Sequence, residues 1–181
     1  MKSTVGALVA VAVVILAFPI YGRRFQFEAK LWHWRHGYTI DVGSYVVPVP
    51  EGWLVQMVDP DGRDLFMLNT YLKQEPRVPR SADVVDVMFW PQPLNLNSWE
   101  TMERQLLERD GLQVERLALS TADEKFICLG GNQIAKILHV QAATILSFHC
   151  QSGGPLSFMY QGNRSGIEDF KAIAAQVHKR N

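Results

Sequence analysis

At 181 residues, with 48% hydrophobic side chains and a formal net charge of zero, the chain has enough apolar mass for one folded domain. That composition excludes a disordered protein. Residues 1–24 carry Lys2, Arg23 and Arg24 and no acid, which leaves 15 basic and 18 acidic residues from Phe25 onward, a net of −3. A mildly acidic domain offers a phosphate backbone no basic footprint, so a nucleic-acid partner is excluded as well.

After a short tail at 1–4, Val5 to Tyr21 carries no charge. As a helix its 17 residues rise roughly 26 Å, close to the ~30 Å of a bilayer's hydrocarbon. Residues 5–22 are therefore expected to form a single-pass transmembrane anchor; a cleaved signal and a buried soluble helix are the alternatives. The segment runs into Pro19-Ile20-Tyr21 and then Arg23-Arg24, without a small-x-small cleavage site. Orientation rests on opposed cues. Arg23, Arg24, Lys30 and Arg35 outweigh Lys2, which favours a cytoplasmic C-terminal domain. The absence of a preceding domain and the two cysteines argue for export, and a periplasmic domain is the expectation.

Residues 23–37 read as a helical juxtamembrane stalk ending at Gly37, with Phe25, Phe27, Trp32 and Trp34 as interfacial aromatics. His33 and His36 are three residues apart but lack further ligands nearby, so they read as polar tips rather than a metal pair. From 38 to 181 a single domain is expected. Tyr38 to Val42 and Tyr45 to Val49 flank Gly43-Ser44 as a hairpin, and Pro48 and Pro50 make Val47 to Pro50 run along an edge or leave the sheet. Trp53 to Val58 and Leu65 to Leu72 flank the turn Asp59-Pro60-Asp61-Gly62, Lys73 to Ser81 is a loop, and Asp83 to Trp90 is a strand.

A helix follows, capped by Asn97 or Ser98 with Glu100 in a capping box and stopped by Gly111; Trp99, Met102 and Leu106 form its apolar stripe, and Glu103 falls on the wet side. Four strands are expected at Leu112 to Leu119, Lys125 to Leu129, Ile134 to Val140 and Thr144 to Cys150, and a fifth at Leu156 to Gln161 after Gly153-Gly154. The chain closes with a helix opened by a Ser165/Glu168 capping box, burying Ile167, Phe170, Ile173, Ala174 and Val177, with His178, Lys179 and Arg180 at its C-terminal end. The fold class is α+β, a mainly antiparallel sheet packed against two helices and preceded by the transmembrane helix.

The run Val47-Pro-Val-Pro-Glu-Gly-Trp53, and the ending Leu156-Ser-Phe-Met-Tyr-Gln-Gly162 leading to Ile167, Phe170 and Ile173, resemble the PsbP-like group. That group comprises the extrinsic photosystem II subunit and its small secreted or lipid-anchored bacterial relatives. The resemblance covers roughly Tyr45 to His178. It implies a sheet packed against helices and a binding or assembly role rather than catalysis. The anchor lacks a lipobox cysteine, unlike the lipid-anchored relatives, and no photosystem-specific residue carries over.

Cys128 and Cys150 alternate with apolar residues and point to one face. If their strands lie side by side they form one disulfide; otherwise they are two buried thiols. Asp59, Asp61 and Asp64 lack the spacing of a calcium loop, and Gly130-Gly131 and Gly153-Gly154 read as turns. His139 and His149 read as sheet-surface histidines, with a site shared with Asp41 or Asp86 as the alternative. No nucleophile, metal or cofactor motif is present in the sequence, and no cofactor is expected. The function expected is a membrane-anchored extracytoplasmic binding or assembly module whose partners are the bilayer and another envelope protein, with Trp53, Trp90 and Trp99 as candidate contacts. The alternatives are a hydrolase-like enzyme with an unrecognised site and a cytoplasm-facing tethered module.

Overall fold

A computed structural model of the chain describes residues 24–69, 83–90, 92, 94–135 and 143–180. The expected anchor at 5–22, the loop from Lys73 to Ser81, most of the strand expected at Ile134 to Val140, and His139 lie outside the described residues. Among those described, no helix is long and apolar enough to cross a membrane.

In chain order the elements are α1 (Arg24–His36), β1 (Thr39–Val42), β2 (Tyr45–Pro48), β3 (Trp53–Val58), β4 (Asp64–Asn69) and β5 (Val84–Phe89). There follow α2 (Leu96–Arg109), β6 (Glu115–Ser120), β7 (Lys125–Ala135), β8 (Ala143–Gln151), β9 (Leu156–Gly162), α3 (Ile167–Ala175) and β10 (His178–Lys179). The class is α+β. Seven strands form one antiparallel sheet in the order β3-β4-β5-β9-β8-β7-β6, and β1-β2-β10 form a second, smaller one.

Period-two alternation places Val85 and Val87 of β5, Leu156, Phe158 and Tyr160 of β9, Phe148 and Cys150 of β8, and Phe126 and Cys128 of β7 in one buried cluster. Phe170 of α3 stacks on Tyr160 at 5.2 Å, and Phe126 meets Phe158 edge-on at 5.1 Å. Cys128 and Cys150 are direct cross-strand partners and form a disulfide, both sulfurs fully buried. The expected stripe Ile167, Phe170, Ile173, Ala174 and Val177 is buried throughout.

Several local expectations are overturned. Lys125 to Ala135 is one continuous strand, with Gly130-Gly131 inside it rather than in a turn. The glycines are there because neighbouring backbone comes close: a Cβ on Gly130 would sit 1.8 Å from Ser147 O, and one on Gly131 2.5 Å from Gln113 O. The cap of α2 is Asn95, whose Oδ1 accepts from Ser98 N at 3.1 Å, so the helix starts before Asn97 and its capping box does not form. No Ser165/Glu168 box forms either, because residues 164–166 make a 3₁₀ turn and Glu168 instead accepts from Lys171 Nζ at 2.8 Å.

The last basic residues do not end a helix. His178–Lys179 pair with Val46 and Tyr45 of β2, Lys179 N donates to Asp123 Oδ2 at 2.7 Å, and Arg180 meets Asp41 at 2.8 Å. β10 reaches β2 only at Tyr45 and Val46, which leaves Pro48 paired with β1 alone, the position a residue without an N–H tolerates.

Helix α1 lies against β3 rather than standing clear of the domain. It buries Ala29 and His33. The His33 ring sits between two carbonyls, with Nδ1 2.8 Å from Gly37 O and Nε2 3.1 Å from Pro50 O. His36 turns elsewhere, to Trp32 O at 3.0 Å, so the two histidines share no ligand.

Candidate functional site

One face of the large sheet is closed by the main core. On the other, the register sets two rows of side chains across the middle strands. Asp86 lies opposite Met159, which lies opposite His149; Met88 lies opposite Ser157, which lies opposite Gln151. Helix α2 covers only the β7 side of this face. Its Trp99 and Leu107 form a small second core with Leu129 of β7, supported by Leu96, Leu112, Val114 and Ile127.

The remainder, left uncovered by the described residues, is a groove of about 560 Å³, a volume in the range of ordinary ligand sites. Met88, Met159, Ser157, Gln151 and His149 form its floor, with Trp99 and Met102 from α2 on one side and Trp90, Gln92 and Leu94 on the other. Trp90 is fixed by its indole N–H, which donates to Ser157 Oγ at 3.0 Å.

Polar groups are few and specific. Gln151 is only 8% exposed, yet among the described residues its buried Oε1 has no hydrogen-bond partner. An orphaned buried acceptor costs about 1–3 kcal/mol, so an occupant that donates to it recovers that loss. His149 Nδ1 lies 2.8 Å from Glu103 Oε1. Glu103 is therefore buried against the sheet instead of on the wet face of α2, and Met102 and Leu106 are exposed in its place. Asp86 is pushed up to about 6, first by burial and then by the charge of Asp64, opposed by His149 and by the Val87 backbone N–H.

The three candidate tryptophans part company. Trp53 is 3% exposed in the main core, and Trp99, 8% exposed, lines the groove. Trp90, at 47%, stands open as a groove wall. Asp41 is engaged by Arg180, and Asp59 and Asp64 close a plain hairpin through Asp59 N donating to Asp64 O at 2.9 Å. Among the described residues no cluster of three or more metal-ligating side chains occurs. Sequence reasoning missed Glu103 and Gln151, because each owes its place to a neighbour distant in sequence. No family model matches the chain, and no curated protein matches it.

Proposed function

We propose that this chain is a membrane-anchored extracytoplasmic binding module, PsbP-like in type, whose groove receives an apolar segment of another envelope protein. The carrying observation is an apolar groove with one unpartnered buried acceptor, Gln151 Oε1. Methionines at 88, 102 and 159 give the lining side chains that adapt to an occupant without a fixed shape. A polypeptide partner is favoured over a small ligand because exposed apolar surface continues past the groove. Trp90, Leu94, Met102 and, one turn along α2, Leu106 are all exposed, and a larger surface is needed to cover them. The uncharged stretch from Val5 to Tyr21 supports the membrane, and the Cys128–Cys150 disulfide supports an oxidising compartment.

A photo-crosslinking residue in place of Met102, in cells, tests the reading against the same residue in place of Glu108. The expected result is an adduct with one envelope protein at 102 and not at 108. That protein, once purified, should bind the full chain about tenfold more weakly after Gln151→Leu, the loss of roughly one hydrogen bond. Equal adducts at both positions, or only a small molecule at 102, would refute it.

The His149–Glu103 pair favours a second reading, a hydrolase in which Glu103 orients an imidazole base. The hydroxyl nearest the groove, Ser157 Oγ, is taken up by Trp90 and by Met88 O, which leaves that base no activated nucleophile among these groups. Ester or amide turnover by the purified chain that Glu103→Gln abolishes would establish the enzyme instead.

A further inference from the structure

Helix α1 has an apolar face that the described residues of the domain leave largely uncovered. Ala29 and His33 point into the domain and Trp32 packs against its core. On the opposite side Phe27, Leu31 and Trp34 recur at intervals of four and three residues, which sets them in one stripe. Phe27 is 64% and Trp34 81% exposed, Leu31 between them is half-buried, and Phe25 and Tyr38 flank them in the open. The His33 ring reaches Pro50 O at 3.1 Å, and with buried Ala29 and Trp32 it holds the helix by its other face, so the stripe stays outward while the helix is docked.

We infer that this stripe, Phe27-Leu31-Trp34, rests on a lipid surface and sets the domain against the bilayer. The inference rests on reading Val5 to Tyr21 as the anchor, and chain length then leaves little freedom. Tyr21 precedes Arg24, the first residue of α1, by three positions, and three residues span at most ~10 Å. If the uncharged stretch crosses the hydrocarbon, α1 begins within the headgroup layer. Aromatic side chains are the residues that layer favours, and the stripe carries them for about 10 Å of helix. Lys30 borders the stripe and Arg35 follows it, while the single acid of the helix, Glu28, is paired with Arg24 at 2.6 Å. That balance complements anionic headgroups. A polypeptide partner or a second copy on this face would need the chain to lift away from the membrane it has just left.

The test is reconstitution of the full chain in phosphatidylcholine–phosphatidylglycerol vesicles containing lipids brominated near the headgroup, with tryptophan quenching as the readout. Trp34→Phe alters an exposed ring and leaves the fold intact. Wild type should be quenched, and Trp34→Phe should lose more than half of that quenching. Equal quenching of the two proteins, with the chain retained in the vesicles after an alkaline wash, overturns the inference while the anchor stands. Release by the wash with Trp34-dependent quenching preserved supports the stripe and removes the anchor. Release without such quenching overturns both.

Discussion

Asp86 is the group whose titration the fold alters most usefully, and replacing it with asparagine tests the electrostatics of the groove face. Burial, and then the charge of Asp64 on β4, raise it from 3.8 to about 6; His149 on β8, itself paired with Glu103 of α2, and the Val87 N–H oppose the rise. Between about pH 4 and 6 the folded chain therefore holds a proton that the unfolded chain has released. Stability falls as pH rises through that window and does not return above it. Two units correspond to a ceiling of about 3 kcal/mol, and screening at a half-buried site reduces this to about 1–2 kcal/mol. Asp86→Asn should recover that amount at neutral pH and almost nothing near pH 4. Urea unfolding of the full chain in mild detergent, followed by tryptophan fluorescence, should show the midpoint of the variant raised by about 0.5–1 M at neutral pH, with no change in slope. A variant that keeps the wild-type pH dependence, or is less stable at neutral pH, refutes the reasoning.

Replacing both cysteines, Cys128→Ala with Cys150→Ala, removes a crosslink of sequence separation 22, worth about 3 kcal/mol. Calorimetry should show Tm lowered by about 10 °C, and reductant should have no further effect on the variant. Gln151→Leu keeps the side-chain volume and drops the orphaned acceptor, so the unbound chain should gain about 1 kcal/mol in urea unfolding. Gly130→Ala sets a Cβ against Ser147 O and should separate β7 from β8, read as loss of soluble, protease-resistant protein.

Much of the fold was legible because its strands follow local rules. Period-two alternation placed both cysteines on the buried face, and the stripe from Ile167 to Val177 was readable at helical spacing. What failed was set by partners far along the chain. Gly130-Gly131 looks like a turn in isolation, and only the approach of Ser147 and Gln113 shows why a strand needs it. His178 to Arg180 look like a helix end, but Asp123, Ser44 and Asp41 draw them into a strand. The site followed the same pattern: Trp90 was named from sequence, whereas Gln151 and Glu103 depend on the register of β8 and on how α2 sits above it.

The rotation of α2 bears on the proposed docking at the groove. A helix normally turns its apolar stripe inward, and Trp99, Met102 and Leu106 would make that stripe. Here the buried line is Trp99, Glu103 and Leu107, because Glu103 reaches His149 and Leu107 meets the second core. Met102 and Leu106 are left in solvent, beside the groove. Helix α1 does the same when His33 faces inward and Phe27 and Trp34 do not. In both helices a polar residue occupies the buried position and apolar residues occupy the exposed one, a cost a monomer in water has no reason to carry. Two such faces on one small domain are what the two proposals rest on, the bilayer proposed at α1 and a partner polypeptide proposed at α2.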